Sequence, residues 1–365
     1  MVHDVEIQAF AARTDSLHLL AGVDEDPAGG FRPRPGRVHG PGAELFFVFF
    51  ETHLPRRGPA QLIQQGLGIV DAVGAAAPTA GEGEDKGHGS IVAYENTMSA
   101  DPALSFAGVT KRFPTADGGT YTAISDIDLL IGDGEFVSIV GPTGCGKSTL
   151  LNIAAGLLHP DAGSVHVFGR PLVRLNPHAT YQFQQDVLLP WKTAEENVML
   201  GLLFRQVPAS TARPRAREIV ARVGLAGFED RYPHQLSGGM RKRVALAQTL
   251  IVNPQILLMD EPFSALDAQT RQIMENDLLS IWAEFRKTVL FVTHDLEEAI
   301  ALADRVIVLS SGPAARIIDQ YPVPLPRPRD VADVRVDRAF LDIHRTIWEH
   351  LSVEVRKAYA HTRAR

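Results

Sequence analysis

Residues 135–158 read EFVSIVGPTGCGKSTLLNIAAGLL. A short apolar run is followed by a glycine-rich turn and then by a stretch of good helix formers that stops near Pro160 and Gly163. That order predicts strand, tight loop, helix. The spacing Gly141-x4-Gly146-Lys147-Ser148 is the one at which a loop between strand and helix cradles phosphate. Glycine lets the backbone turn so that successive N–H groups point inward, and the helix N-terminus adds its positive end. The predicted phosphate loop is therefore Gly141, Pro142, Thr143, Gly144, Cys145, Gly146, Lys147, Ser148 and Thr149. Lys147 is expected to reach the β- and γ-phosphates of a nucleotide, and the Ser148 hydroxyl to ligate Mg²⁺. Cys145 fills a permissive position of the pattern. A thiol alkylator is expected to block nucleotide binding there unless nucleotide protects it.

Two further strand ends carry ionisable groups. ILLMDEP at 256–262 is a buried-looking apolar run that delivers Asp260 and Glu261 at its C-terminal end, where α/β sheets bind ligands. Asp260 is placed to hold Mg²⁺, and Glu261 to orient or deprotonate an attacking water. TVLFVTHD at 288–295 repeats the logic with His294, which can hydrogen-bond a γ-phosphate or that water. Adjacent acids can be a solvated strand end and a lone histidine is usually structural. The phosphate loop in the same chain favours the functional reading.

Working outward, Ile256–Met259, Thr288–Val292 and Val306–Leu309 are too short for independent helices and alternate with helical stretches. They read as buried parallel strands of an α/β domain. ALSFAGVTKRF (103–113) and TYTAISDIDLLI (120–131) alternate like half-buried strands, and Gly132–Gly134 before EFVSIV reads as a hairpin turn. The region of about 190–250 reads as a helical subdomain. Residues 321–365 read as a Pro-rich linker (YPVPLPRPRD) and an amphipathic helix with Phe340, Ile343, Ile347, Trp348, Leu351 and Val355 on one face.

Residues 1–97 hold 14 Gly, 7 Pro, and 7 Lys+Arg against 13 Asp+Glu, nearly all of the chain's net charge of −7. They read as a largely disordered extension, or as sequence ahead of a true start at Met98. One cysteine in 365 residues excludes a disulfide scaffold and a cysteine-rich zinc fold. The acidic balance argues against a nucleic-acid partner. No stretch approaches the roughly 20 apolar residues of a membrane helix.

LSGGM at 236–240, with RKRVALAQTL after it, resembles the signature sequence of ATP-binding cassette (ABC) proteins, with Met240 where the family usually has Gln. Ser237, Gly238 and Gly239 open a helix and offer a second set of N–H donors. Other motifs follow the family order. Gln184 in YQFQQD resembles the Q-loop glutamine, and SALD (264–267), ending in Asp267, resembles the D-loop. Phe113 resembles the aromatic that stacks on adenine, with Tyr121 as its rival. The resemblance covers about residues 103–320. It implies a P-loop NTPase fold of the ABC ATPase type: a RecA-like parallel-sheet core with an antiparallel β-subdomain and a helical subdomain.

The resemblance further implies ATP and Mg²⁺ as cofactors. Ser148, Gln184 and Asp260 would serve the metal, and Lys147, Gln184, Glu261 and His294 the reaction. Ser237, Gly238, Gly239 and Asp267 would act on ATP held by the other subunit of a homodimer, or of a heterodimer with a paralogous ATPase. FQQDVLLPW, DEPFSALD and FVTHDLEEAIALADRVIVLS are most similar to ATPase subunits of nitrate, sulfonate and taurine importers. Partners would then be transmembrane permease subunits and, indirectly, an extracytoplasmic substrate-binding protein. The place would be the cytoplasmic face of the membrane, as a peripheral protein. Leu188, Leu189 and Trp191 are candidates for permease docking or for the core of the helical subdomain. A soluble ABC ATPase without a transport role is the alternative.

Overall fold

The computed structural model describes residues 23–25, 31–33, 101–115 and 118–363. The chain divides into two units, residues 1–96 and 97–365. In the first, β1 (Val23–Glu25) pairs antiparallel with β2 (Phe31–Pro33). The rest of the reading made for residues 1–97, and Met98, lies outside the described residues.

The second unit is built around a six-stranded sheet. Its strands are β5 (Phe136–Val140), β8 (Ala179–Gln182), β9 (Ile256–Asp260), β10 (Thr288–Val292), β11 (Arg305–Leu309) and β12 (Ile317–Pro322). Their spatial order is β12-β11-β5-β10-β9-β8, parallel throughout except for the edge strand β12. The three apolar runs expected to be buried strands are β9, β10 and most of β11. Their alternate residues go to opposite faces, as a period of two requires. Leu257, Met259, Val289, Phe291, Val306 and Val308 join one core, and Ile256, Leu258, Leu290, Val292, Ile307 and Leu309 the other.

A second sheet, entirely antiparallel, has the order β4-β3-β6-β7. It comprises β3 (Leu104–Pro114), β4 (Thr120–Ile131), β6 (Ala162–Val167) and β7 (Arg170–Pro171). The hairpin expected at Gly132–Gly134 does not form. That turn carries the chain from β4 in the antiparallel sheet to β5 in the parallel one. Burial explains the difference. β5 is buried at all five positions and needs cover on both faces, whereas the second half of β4 alternates buried and exposed.

Helix α1 (Lys147–Ala154) follows the glycine-rich loop. Helices α2 (Ala194–Phe204), α3 (Ala209–Arg222) and α4 (Gly238–Leu250) occupy the stretch read as helical. Thr193 starts α2 with a complete capping box to Glu196. Helices α5 (Ala268–Phe285) and α6 (Leu296–Leu302) flank β10 in sequence.

The C-terminal segment forms α7 (Val331–Arg335) and α8 (Arg338–Arg363). Phe340, Ile347 and Leu351 of α8 are buried, and Ile343 and Val355 are packed against the same core. Trp348 is 49% exposed and does not belong to that face. At 100° per residue it lies about 100° from Ile347 and about 60° from Leu351, at the margin of the buried stripe. The Pro-rich stretch before α7 is tied down. The Arg329 guanidinium donates to the carbonyls of Ala301 (3.1 Å), Ala303 (2.8 Å) and Leu325 (3.0 Å). Burial lowers its pKa to about 10, with the Arg327 charge adding to the effect. Among the described residues no helix is long and apolar enough to cross a membrane.

Candidate active site

Three neighbouring parallel strands, β5, β10 and β9, end side by side, and each delivers one expected motif. Backbone bonds hold the ends in register. Thr293 N donates to Ile139 O (3.2 Å) and Glu261 N to Val292 O (2.8 Å). The loop after β5 needs its glycines. Gly146 has φ +97°, and a Cβ there would meet Ile124 Cγ2 at 2.5 Å. A Cβ on Gly141 would meet Cys145 Sγ at 2.8 Å. Lys147 is 5% exposed and folds back, its ammonium donating to the carbonyls of Gly141 (2.8 Å) and Pro142 (3.1 Å). Thr143 and Gly144 stand exposed at the tip, and Thr149 is half-buried.

Cys145 is 1% exposed. Burial pushes its thiol pKa up, against the opposing pull of the Lys147 charge. The expected reactivity toward alkylators is therefore corrected: the thiolate that would react is both hidden and disfavoured. Iodoacetamide at pH 8 is expected to label Cys145 slowly in the folded chain and fully in guanidinium, read by intact mass. Rapid labelling of the folded protein would contradict this environment.

Ser148 Oγ donates to Asp260 Oδ1 (3.1 Å), so the start of α1 and the end of β9 meet as expected. Tyr181 Oη donates to the other carboxylate oxygen (3.2 Å). Burial raises the Asp260 pKa, opposed by these two hydrogen bonds. A hydroxyl and a half-buried carboxylate are the hard oxygen donors that suit Mg²⁺.

Glu261 gathers a second group. Gln184 Nε2 donates to Glu261 Oε2 (3.2 Å), and His294 Nδ1 lies 3.0 Å from the same oxygen. Glu261 holds φ +43°, an uncommon backbone state for a non-glycine residue, fixed by its bond to β10. Gln184, Glu261 and His294 thus converge at one carboxylate, and the residue before it, Asp260, holds Ser148 at the start of α1.

Ser237, Gly238, Gly239 and Asp267 form a separate group. Ser237 caps α4 by accepting from Met240 N (3.2 Å), and Asp267 caps α5 by accepting from Thr270 N (2.9 Å). The two helix starts abut, since a Cβ on Gly239 would lie 2.7 Å from Thr270 Cγ2. Arg271 ties this group toward the first, reaching Leu266 O (3.1 Å) and Asp295 Oδ2 (3.3 Å), next to His294.

Phe113 and Tyr121 are directly opposed across β3 and β4, both half-buried. Residues so paired share a face of the sheet. The Tyr121 hydroxyl lies near Gly312, which itself borders Gly144. Lys111 Nζ sits 5.7 Å from the Phe113 ring centroid. The patch after Gln184 splits between its two readings. Leu188 packs on the core and Asn197 brackets Leu189 by its N–H (2.8 Å) and carbonyl (3.1 Å). Val187 and Trp191 are exposed, as are Phe228 and Tyr232.

Sequence reasoning missed three contributors. Tyr181 lies on a four-residue strand with no apolar run to announce it. Lys242 looks like a solvated helix residue, yet it is buried and bonds the Gln184 carbonyl and Asp186 Oδ1 (3.0 Å). Glu298 is 3% exposed next to the His294 turn. Burial drives its pKa up to about 8, opposed by a hydrogen bond from Thr293. The folded chain therefore holds a proton that the unfolded chain, at the model-compound value of 4.5, releases. Its contribution to stability is complete below about pH 4.5 and is lost as pH rises to about 8. Glu298→Gln is expected to flatten the fall in denaturation midpoint between pH 5 and 8.5. An unchanged slope would remove Glu298 as its source.

The family described as ABC transporter matches residues 124–264. The chain is 44% identical over 255 residues to an uncharacterised ABC transporter ATP-binding protein of Methanocaldococcus jannaschii, covering 70% of this chain and 93% of that one. It is 44% identical over 229 residues to the nitrate import ATP-binding protein NrtD of Synechococcus elongatus, covering 62% and 83%. It is 42% identical over 245 residues to the bicarbonate transport ATP-binding protein CmpD of the same species, covering 67% and 88%. Among solved structures, a dimeric ATP-binding cassette in a post-hydrolysis state with ADP and Pi is similar at a TM-score of 0.55 and 34% identity. It covers 61% of this chain and all of that one. The chain belongs to the ABC transporter family as an ATP-binding, ATP-hydrolysing subunit.

Proposed function

We propose that this ATPase powers uptake of a small solute of the nitrate, sulfonate or taurine kind through a separate membrane permease. It would act from the cytoplasmic face as one of two copies, or beside a paralogous ATPase, with an extracytoplasmic binding protein supplying the solute. The observation that carries the catalytic part is the convergence of Gln184 and His294 on one oxygen of Glu261, beside the Ser148–Asp260 pair. Similarity to nitrate and bicarbonate import subunits supports the direction of transport.

In this reading the backbone N–H groups of Gly141–Thr149 and the Lys147 ammonium hold the phosphates. Lys147 exchanges its bonds to Gly141 and Pro142 carbonyls for phosphate oxygens. Ser148 and Asp260, with Gln184, would hold Mg²⁺, which when bound would neutralise developing charge on the phosphates. Glu261 orients the attacking water and takes its proton, and His294 steadies Glu261 and the γ-phosphate. Catalysis is positioning plus charge stabilisation. Ser237, Gly238 and Gly239 point their N–H groups at ATP held by the partner, and Asp267 lies at the same interface. Phe113 or Tyr121 stacks on adenine. Closure of the pair moves the permease, which docks at the exposed Val187 and Trp191.

The test is a pull-down of tagged chain from detergent-solubilised native membranes, read by mass spectrometry. Recovery of a multi-span permease, with a binding protein, is expected. Recovery of no membrane protein while ATP hydrolysis persists would replace this reading with a soluble ABC ATPase.

A further inference from the structure

Helix α8 reaches the loop between β11 and β12 through one carboxylate. Glu354 is 6% exposed, and its Oε2 accepts from both the N–H (2.8 Å) and the Oγ (3.0 Å) of Ser311. Its Oε1 pairs with Lys357. Burial pushes the Glu354 pKa up, but the bonds from Lys357 and Ser311 outweigh it and leave the carboxyl below its usual range. The residue is therefore an ionised, charge-assisted acceptor, the stronger class of hydrogen bond.

Ser311 belongs to the short loop between β11 and β12. That loop closes on itself, with Ser310 N donating to Arg316 O (2.8 Å) and Arg316 N to Ser310 Oγ (3.0 Å). Its tip lies on the phosphate loop. A Cβ placed on Gly312 would stand 3.2 Å from Tyr121 Oη, 3.5 Å from Gly144 O and 3.9 Å from Cys145 Cα. Its far side is bonded to β4, through Ala314 N to Thr122 O (2.7 Å) and Ala315 N to Ala123 O (3.1 Å). The Ala123 carbonyl in turn lies 3.3 Å from where a Cβ on Gly146 would be. The loop is wedged between the phosphate loop, one of the two candidate adenine-stacking aromatics, and α8.

We propose that Glu354 is a positioning residue for nucleotide binding: through Ser311 it seats the Ser310–Ala314 loop against Gly144 and Tyr121, so that the C-terminal helix sets nucleotide affinity. This rests on the reading of Gly141–Thr149 as the ATP site. Nothing in the connection touches Gln184, Glu261 or His294, so the hydrolytic step itself is left alone.

The experiment uses the full chain and a fluorescent ATP analogue, with steady-state hydrolysis alongside. Glu354→Gln and Ser311→Ala are each expected to raise the Kd of the analogue and the KM for ATP roughly threefold to tenfold. The double variant should be no worse than about the sum of the two singles, because Ser311→Ala removes the hydroxyl bond and leaves the backbone N–H bond, while Glu354→Gln weakens both by removing the charge. The rate constant kcat should stay within about twofold, a split that general destabilisation would not produce. A Kd equal to wild type in both single variants would overturn the proposal, even if their melting temperatures fell. A fall in kcat with Kd unchanged would overturn it too. Lys147→Ala separates the underlying reading. If it binds the analogue as tightly as wild type, the site itself is misassigned, whatever the Glu354 result. If it loses binding while Glu354 and Ser311 variants keep it, only the proposal falls.

Discussion

Glu261→Gln is expected to hydrolyse ATP about 10²- to 10⁴-fold more slowly than wild type, the usual contribution of a positioned base. Glutamine has the same shape and can still accept from Gln184 Nε2 and bond His294, the two partners Glu261 holds at 3.2 and 3.0 Å. What it loses is the ability to take a proton from water. The groups placed on the phosphates, Lys147 and the loop backbone, are untouched, so nucleotide affinity should remain near wild type. With hydrolysis blocked, two chains closed over ATP have no route back, and a nucleotide-dependent dimer should accumulate. Steady-state phosphate release, nucleotide titration and light scattering with and without ATP check the three parts. Turnover within a few fold of wild type would remove Glu261 from the role of base.

Trp282→Ala is expected to cost about 3–5 kcal/mol of stability, the range for truncating a large buried aromatic. Trp282 is 2% exposed at the C-terminal end of α5 and packs edge-on to Phe136 of the central strand, ring centroids 6.1 Å apart. Two guanidinium groups lie over its ring, Arg327 at 4.0 Å and Arg286 at 4.7 Å. Its indole N–H donates to the Lys287 carbonyl (2.8 Å). Truncation therefore opens a cavity and also strips the cover from two cations, each worth about 0.5–1 kcal/mol or more over an aromatic face. At roughly 2–4 °C per kcal/mol for a domain approaching this size, the melting temperature should fall by about 6–20 °C. Trp282→Phe keeps a ring face and loses mainly the indole bond, about 1 kcal/mol. Equal losses for the two variants would show that the cavity and cation contacts carry nothing.

The parallel strands were legible because a strand covered on both faces must be a continuous apolar run, and ILLM, TVLFV and VIVL are such runs. Strands with one face covered, or at an edge, leave a weaker trace. β6 (AGSVHV), β8 (ATYQ) and β12 (IIDQYP) mix polar and small residues, and nothing in their composition separates them from loop. The hairpin misreading at Gly132–Gly134 has the same root: a turn is local, while the sheet that receives the next strand is decided by burial far along the chain. At the site, the expectation that the glycine-rich loop and the strand ends meet was legible, since it follows from neighbours in sequence, and Ser148–Asp260 and Glu261–His294 do lie together. Tyr181 and Lys242 were not. Each acts on a residue brought near only by folding, Tyr181 on Asp260 and Lys242 on Gln184 and Asp186. Cys145 was readable in position and misjudged in chemistry, because its burial comes from packing under the loop rather than from the motif.

The strand order β12-β11-β5-β10-β9-β8 places β5 between two strands that both lie beyond residue 287. During synthesis, then, FVSIV leaves the ribosome about 150 residues before either strand that will flank it. At 5–20 residues per second that is a wait of roughly 10–30 s. Through this interval a strand that is buried at all five positions in the folded chain has neither neighbour, and the glycine-rich loop after it has neither the Asp260–Glu261 end nor the His294 end beside it. In the proposed reading, the acids and the histidine placed on the metal and the attacking water arrive only with the last third of the chain. The nascent chain therefore carries FVSIV without either neighbour until Thr288–Val292 and Arg305–Leu309 have been made.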